Sequence, residues 1–264
     1  MRLSHQNKEQ ELAHAKKILH NPEFYWNSGT AAGERASLRR ARWIAKICGF
    51  EPGKRVLEVG CGTGFFSRIF LEYGVDLHSI DLSRELIEKA KERCGERADF
   101  RIADIENLPY EGETFDAVVG ARVLHHLDME ASFVEIFRVL KKGGAIAFCE
   151  PNMLNPQIMI QKNIPWIKRR MGDTPDETAF FKWQLRKFLS EKGFSRILIE
   201  PFDFLHPWTP KQMVPSVEKF GYFLERLPFI REIAGSLKIS AQKCHSNVIL
   251  SKSVIPSAQR EESP

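Results

Sequence analysis

Short apolar runs separated by amphipathic stretches recur along the first two thirds of the chain. RVLEV at 55–59, VDLHSI at 75–80, ADFRIA at 98–103, FDAVVG at 115–120 and GAIAFC at 144–149 read as strands. Between the second and third, LSRELIEKAKERC at 82–94 puts Leu86, Ile87 and Ala90 on one helical stripe, with Ser83 placed to cap the N-terminus. Lys141-Lys142-Gly143-Gly144 is expected to close the helix containing VEIFRVL, with cations at its negative end and glycines for a left-handed turn. Strands that alternate with helices imply a parallel sheet covered on both faces. RILIE at 196–200 and NVILS at 247–251 are two later strand candidates, with a helix at 178–192 before the first. An N-terminal helix is expected from Glu34 to Cys48, stopped by Gly49.

Composition narrows the class. The 264 residues, 43% of them hydrophobic, suffice for one large domain with additions. No apolar run approaches the roughly 18 residues that cross a bilayer, and the polar start MRLSHQNKEQE lacks the apolar core of a signal peptide. A cytoplasmic protein is expected. Cys48, Cys61, Cys94, Cys149 and Cys244 are scattered and odd in number, so reduced thiols are expected and no metal site is. Residues 1–150 carry 22 Lys/Arg against 23 Asp/Glu, whereas 151–264 carry 17 against 11. The excess of positive charge therefore belongs to the C-terminal part. A nucleic-acid binder would present a denser basic stripe, so anionic small molecules or an anionic membrane surface fit better as partners.

The first strand ends in VLEVGCGTGFFS at 56–67, where three glycines alternate. Gly60, Gly62 and Gly64 let the backbone turn tightly and allow a ligand to approach the main chain at the start of the next helix. Dinucleotide enzymes use G-x-G-x-x-G for a pyrophosphate, but the spacing here is G-x-G-x-G with Glu58 just before it. A carboxylate there repels a pyrophosphate and suits an ammonium or sulfonium group. The second strand ends at Asp81, placed to accept hydrogen bonds from ribose hydroxyls. After the third, Asp104 can take an adenine amino group while Ile105 covers the ring. For Asp81 a helix-capping role, and for Asp104 a turn-initiating one, are the structural alternatives.

VLEVGCGTG, IDLS, ADIENLPYEGETFDAVVGARVLHHL and FRVLKKGGAIAFCEPN together resemble a class I S-adenosylmethionine-dependent methyltransferase, of the methyltransferase-11 type that includes quinone-biosynthesis enzymes. The likeness spans about residues 54–152. It implies a Rossmann-like doubly wound α/β fold with a seven-stranded sheet, its last strand antiparallel, with RILIE and NVILS as the closing pair. It also implies that Glu58, Gly60, Cys61, Gly62, Thr63 and Gly64 hold the methionine part of S-adenosylmethionine, Asp81 and Leu82 the ribose, and Asp104 and Ile105 the adenine. Ala121 and Arg122 would stand beside the cofactor, though solvent is the second reading for Arg122. The same likeness brings His125 and His126 to the transferred methyl group, where one of them can act as a base or merely pack the cofactor.

Around this core the chain divides into an N-terminal helical cap at 1–53, a methyltransferase domain at 54–252 with inserts at 153–177 and 201–245, and a disordered tail at 253–264. The cap joins Phe24, Tyr25 and Trp26 to the 34–48 helix, as a lid over the cofactor or as a helix on the sheet edge with Arg39, Arg40 and Arg42 solvated. The first insert pairs apolar residues with Lys168, Arg169 and Arg170, an interfacial pattern. In the second, Val217, Phe220, Leu224 and Leu227 fall at helical spacing. Two apolar inserts at one mouth fit methyl transfer, on oxygen or carbon, to a small apolar or lipid-linked acceptor, with peripheral contact to the inner face of a membrane. A catalytically silent cofactor-binding or interaction protein, or a nicotinamide-binding oxidoreductase, is the alternative.

Overall fold

Alternation of apolar side chains within single strands decides the architecture. Leu57, Val59 and Val118 enter one core, while Val56, Ala117 and Val119, one residue out of step, enter a second on the opposite face. The computed structural model describes residues 5–26, 28–171, 173 and 177–244. Its strands are β1 (Arg55–Val59), β2 (Asp76–Asp81), β3 (Asp99–Ile102), β4 (Phe115–Ala121), β5 (Leu140–Pro151), β6 (Phe194–Phe202) and β7 (Ser236–Lys243). They form one sheet in the order β3-β2-β1-β4-β5-β7-β6, with β7 antiparallel to both its neighbours.

The described helices are α1 (His5–Ile18), α2 (Pro22–Tyr25), α3 (Ala31–Ile47), α4 (Phe65–Phe70), α5 (Arg84–Cys94), α6 (Met129–Val139), α7 (Pro156–Asn163), α8 (Pro165–Met171), α9 (Lys182–Glu191) and α10 (Val214–Leu224). Ser83 starts its helix as expected, whereas α3 begins at Ala31, three residues before the expected Glu34. Ser83 Oγ accepts from the Leu86 N–H to cap α5, and Thr30 Oγ1 accepts from the Gly33 N–H to cap α3.

Three expectations are corrected. The Lys141–Gly144 stretch does not close a helix: α6 stops at Val139, and Leu140 already pairs with Phe115 in the sheet. Gly143, at φ 74°, sits in the irregular start of β5, and Lys141 reaches Asp116 at 2.8 Å. Second, β7 lies inside the stretch taken as an insert, so the second lobe ends near 235; NVILS and the tail from 253 lie outside the described residues. SLKISAQK makes a strand because Leu237, Ile239 and Ala241 fill the core on one face. On the other, the Lys238 stem lies over Phe202, its Nζ 4.6 Å from the ring centroid. Third, Arg39 and Arg40 of α3 are not solvated. Arg39 pairs with Glu225 and the buried Arg40 with the buried Asp203, both at 2.5 Å, so the helix is joined to the second lobe.

Candidate functional site

The C-terminal ends of β1, β2, β4 and β5 open onto a single cavity of about 660 Å³. This is the crevice where open α/β sheets bind ligands, and the volume lies in the range of ligand pockets.

Glycine geometry shapes one end. Gly60 and Gly62 have φ of 66° and 53°, a region that disfavours side chains. A Cβ on Gly62 would stand 2.9 Å from the Trp26 ring, and one on Gly60 would stand 2.5 Å from Val123. Gly60, Cys61, Gly62 and Thr63 line the cavity, as do Asp81, Leu82, Asp104, Ile105, Ala121 and Arg122.

Glu58 and Gly64 do not line it. Glu58 is turned under the loop, where its Oε2 accepts from Ser67 Oγ at 2.5 Å and Ser79 Oγ at 2.9 Å. Burial pushes its carboxyl up to about 7, against the lowering effect of the two hydroxyls. Gly64 faces α5, where a Cβ would meet Ala90 at 3.1 Å. These two positions lie beneath the loop, outside the cavity lining. Cys61 is buried, which holds its thiol well above the usual range and leaves little thiolate.

Asp81 ends β2 at the cavity wall, held by backbone donors. Its Oδ2 accepts from the Gly62 N–H and its Oδ1 from the Ser83 N–H, at 2.9 and 3.0 Å. No lysine or arginine pairs with it among the described residues, and burial raises its carboxyl pKa. A carboxylate so placed retains lone pairs for hydroxyl donors. The residues present therefore fit a nucleoside such as S-adenosylmethionine. Asp104 is instead covered by the N-terminal cap: Lys8 Nζ lies 2.7 Å from it and 2.5 Å from Glu106.

The cap is latched at two further points. Glu23 of α2 accepts from Arg93 Nη2 at 2.6 Å and from Thr63 Oγ1 at 3.1 Å. The Arg122 guanidinium donates to the Trp26 carbonyl. Arg122 has φ 58°, strained for a side chain of its size, and its own N–H donates to the Cys149 carbonyl. Burial lowers its pKa to about 10.

Beyond Arg122 lies a charged cluster that sequence reasoning only half found. Glu150, at the end of β5, is fully buried; its Oε1 accepts from the Val123 and Leu124 N–H groups at 2.9 and 3.0 Å. Its Oε2 accepts from His125 Nδ1 at 2.6 Å, which turns Nε2 toward Glu177 Oε1 at 3.5 Å. Burial opposes a charged His125, but Glu150 and Glu177 outweigh it and raise the imidazole to about 9. Lys162 of α7 bonds both Glu177 and Asp173, and brings the first insert onto the cluster. His126 stacks beside His125 with ring centroids 4.1 Å apart. The strand-ending acid in FCEPN was the available signal for Glu150; Glu177 carries none, because its insert has no periodicity.

Residues 57–148 match the family model described as "Methyltransferase domain". The chain is 27% identical over 188 residues to a demethylmenaquinone methyltransferase of Thermobifida fusca, covering 66% of this chain and 73% of that one. It is 33% identical over 98 residues to a malonyl-[acyl-carrier protein] O-methyltransferase of Serratia marcescens, covering 37% and 38%. A solved structure from Thermotoga maritima, described as an S-adenosylmethionine-dependent methyltransferase and possible histamine N-methyltransferase, shares the fold at TM-score 0.62 and 18% identity, covering 87% of this chain and 99% of that one. Residues 57–148 thus form a methyltransferase domain, and the chain as a whole is similar to S-adenosylmethionine-dependent methyltransferases in sequence and fold.

Proposed function

We propose that the chain methylates a small acceptor with an apolar or lipid-like body, on oxygen or carbon. The observation that carries this reading is the continuity of the cavity: it runs from Asp81 past Arg122 and His125 to a chamber walled by both inserts, with Ile158, Phe204, Leu205 and Trp208 among its lining. S-adenosylmethionine supplies a methyl group on a sulfonium, already activated for transfer to a nucleophile. Binding falls to Asp81 with Leu82 at the ribose, Asp104 with Ile105 at the adenine, and the bare backbone of residues 60–63 at the methionine end. Alignment and exclusion of water fall to Trp26 and Arg122 over that end, and to α1, whose Lys8 reaches Asp104, over the adenine end. The apolar chamber then holds the acceptor in line. A relative named for demethylmenaquinone supports an acceptor of this class, and one named as a malonyl-[acyl-carrier protein] O-methyltransferase supports transfer to oxygen.

The outer surface of the inserts supports peripheral contact with an anionic membrane. Trp166 and Phe229 are 63% and 90% exposed, too much apolar area to be explained as core, and Lys168, Arg169 and Arg170 lie on α8 beside Trp166. No described helix is long and apolar enough to cross a membrane.

Incubation with methyl-labelled S-adenosylmethionine and fractionated lipid and polar extracts tests the acceptor class. Label is expected in a lipid-soluble or amphiphilic product. Label confined to protein, nucleic acid or strongly polar metabolites would overturn the reading.

A further inference from the structure

Three potential metal ligands meet at the acceptor end of the cavity. Ligand atoms of His125, His126 and Glu177 all lie within 4.8 Å of one another, and all three residues line the cavity. His125 Nε2 and Glu177 Oε1, at 3.5 Å, are already near the separation of neighbouring ligands around one ion with bonds of about 2.0–2.2 Å, and the ion takes the place of the Nε2 proton, which is released to solvent on binding. A second observation points the same way. His125 Nδ1 is bound at 2.6 Å by the buried Glu150, whose other oxygen is fixed by two backbone N–H groups. A carboxylate behind one ring nitrogen, with the other presented to a cavity, is the arrangement that orients a metal-binding histidine and raises its basicity.

We propose that His125, His126 and Glu177 form a binding site for one first-row divalent cation, of the zinc or iron(II) class, at the acceptor end of the cavity. Two imidazoles and one carboxylate suit such ions, whereas magnesium and calcium prefer shells of oxygen alone. Three protein ligands leave positions open toward the chamber. The role of the ion, which rests on the methyl-transfer reading, is to hold an acceptor oxygen and make it a better nucleophile by lowering its proton affinity. Lys162 shares Glu177 and competes for it, but Asp173 at 3.0 Å gives Lys162 a second anchor. The geometry therefore makes a prediction opposite in sign for this residue: Lys162→Gln should tighten the site that His126→Ala and Glu177→Gln weaken.

The test uses the full chain without S-adenosylmethionine, so that metal binding is read apart from methyl transfer. Titration with Co²⁺, followed by its visible absorption, and with Zn²⁺ in competition should show one equivalent bound, with Mg²⁺ far weaker. His126→Ala and Glu177→Gln are each expected to raise the Co²⁺ Kd by at least about tenfold. Lys162→Gln is expected to lower it, a gain that misfolding cannot mimic. Absence of stoichiometric binding, binding unchanged in all three variants, or equal affinity for Mg²⁺ would each overturn the proposal.

Discussion

At the scale of single residues, two acids at strand ends, Asp81 and Glu58, differ by what their oxygens touch. Asp81 accepts from the backbone N–H groups of Gly62 and Ser83, and it lines the cavity. Asp81→Ala should therefore weaken S-adenosylmethionine and its demethylated product by about 1.5–3 kcal/mol, the range for hydrogen bonds to a charged group. Calorimetry on the folded variant checks this, and unchanged affinity removes Asp81 from the site. Gly62→Val should lose binding further, since the new side chain meets Trp26 at a φ it rarely adopts. Glu58 behaves differently because it is sealed beneath the loop. Its carboxyl keeps in the folded state a proton that the unfolded chain releases near pH 4.5. The stability attached to that proton is full below about 4.5 and falls as the pH rises through about 7, by on the order of 3 kcal/mol. Glu58→Gln, which keeps an acceptor for Ser67 and Ser79, should remove that fall and leave cofactor affinity unchanged. Urea unfolding of both proteins at pH 5 and pH 8 decides it, and a stability difference that is the same at both values would refute the assignment. The sequence placed both acids at strand ends but could not tell which faces the cavity. Glu58 precedes the turn and Asp81 closes its strand, and only the fold shows that the first points down between Ser67 and Ser79.

At the scale of elements, legibility follows how much of a segment's identity is fixed locally. β1 to β5 and the helices between them were readable because apolar runs, caps and turns coincide, as at Ser83. β7 was not. Its exposed-looking residues Ser236, Lys238, Ser240 and Lys243 are buried or partly buried by partners from distant segments; Lys243 Nζ, for instance, donates to the Phe137 and Leu140 carbonyls at 2.7 Å. The N-terminal cap is held to the domain in the same nonlocal way, through Lys8 with Asp104 and Glu106, and Glu23 with Arg93 and Thr63. Partly exposed pairs of this kind contribute little each, so the cap should open at low cost. The double variant Lys8→Gln, Glu23→Gln is expected to speed proteolysis within residues 5–26 several-fold without lowering the melting temperature appreciably. Binding of the demethylated cofactor product should slow that cleavage in the unaltered chain. Cleavage indifferent to both the variants and the ligand would mean that the cap is no lid.

At the scale of the whole molecule, charge and apolar surface are distributed unequally about one cavity. The half that holds the glycine loop is near neutral, whereas residues 151–264 carry six more cations than anions. Part of that excess is spent internally, since Lys162 and Lys182 meet carboxylates. Arg169 and Arg170 are exposed on α8, after the half-buried Lys168 and next to Trp166 and Met171. The second lobe adds Phe220 and Phe223, stacked at 6.3 Å and both more than half exposed, and Gln157 of α7 bonds His206 at 3.1 Å, which joins the two inserts at the cavity mouth. A surface that combines aromatic anchors with cations binds anionic lipid through both, and each cation near acidic headgroups adds about 1 kcal/mol. Three together give association that is reversible and weakens with salt, because exposed charges are screened beyond about 8 Å at physiological ionic strength. The triple variant Lys168→Gln, Arg169→Gln, Arg170→Gln should therefore lose most vesicle binding while keeping its affinity for S-adenosylmethionine, whose site lies at the strand ends. Co-sedimentation with phosphatidylserine-containing and purely zwitterionic vesicles, at low and moderate salt, separates the outcomes. Preference for the anionic vesicles that fades with salt and with the triple variant supports delivery of a greasy acceptor from the bilayer to the chamber. Equal and negligible sedimentation with both kinds of vesicle would sink it, and the exposed aromatics would then be left to a partner protein or to an acceptor taken from solution.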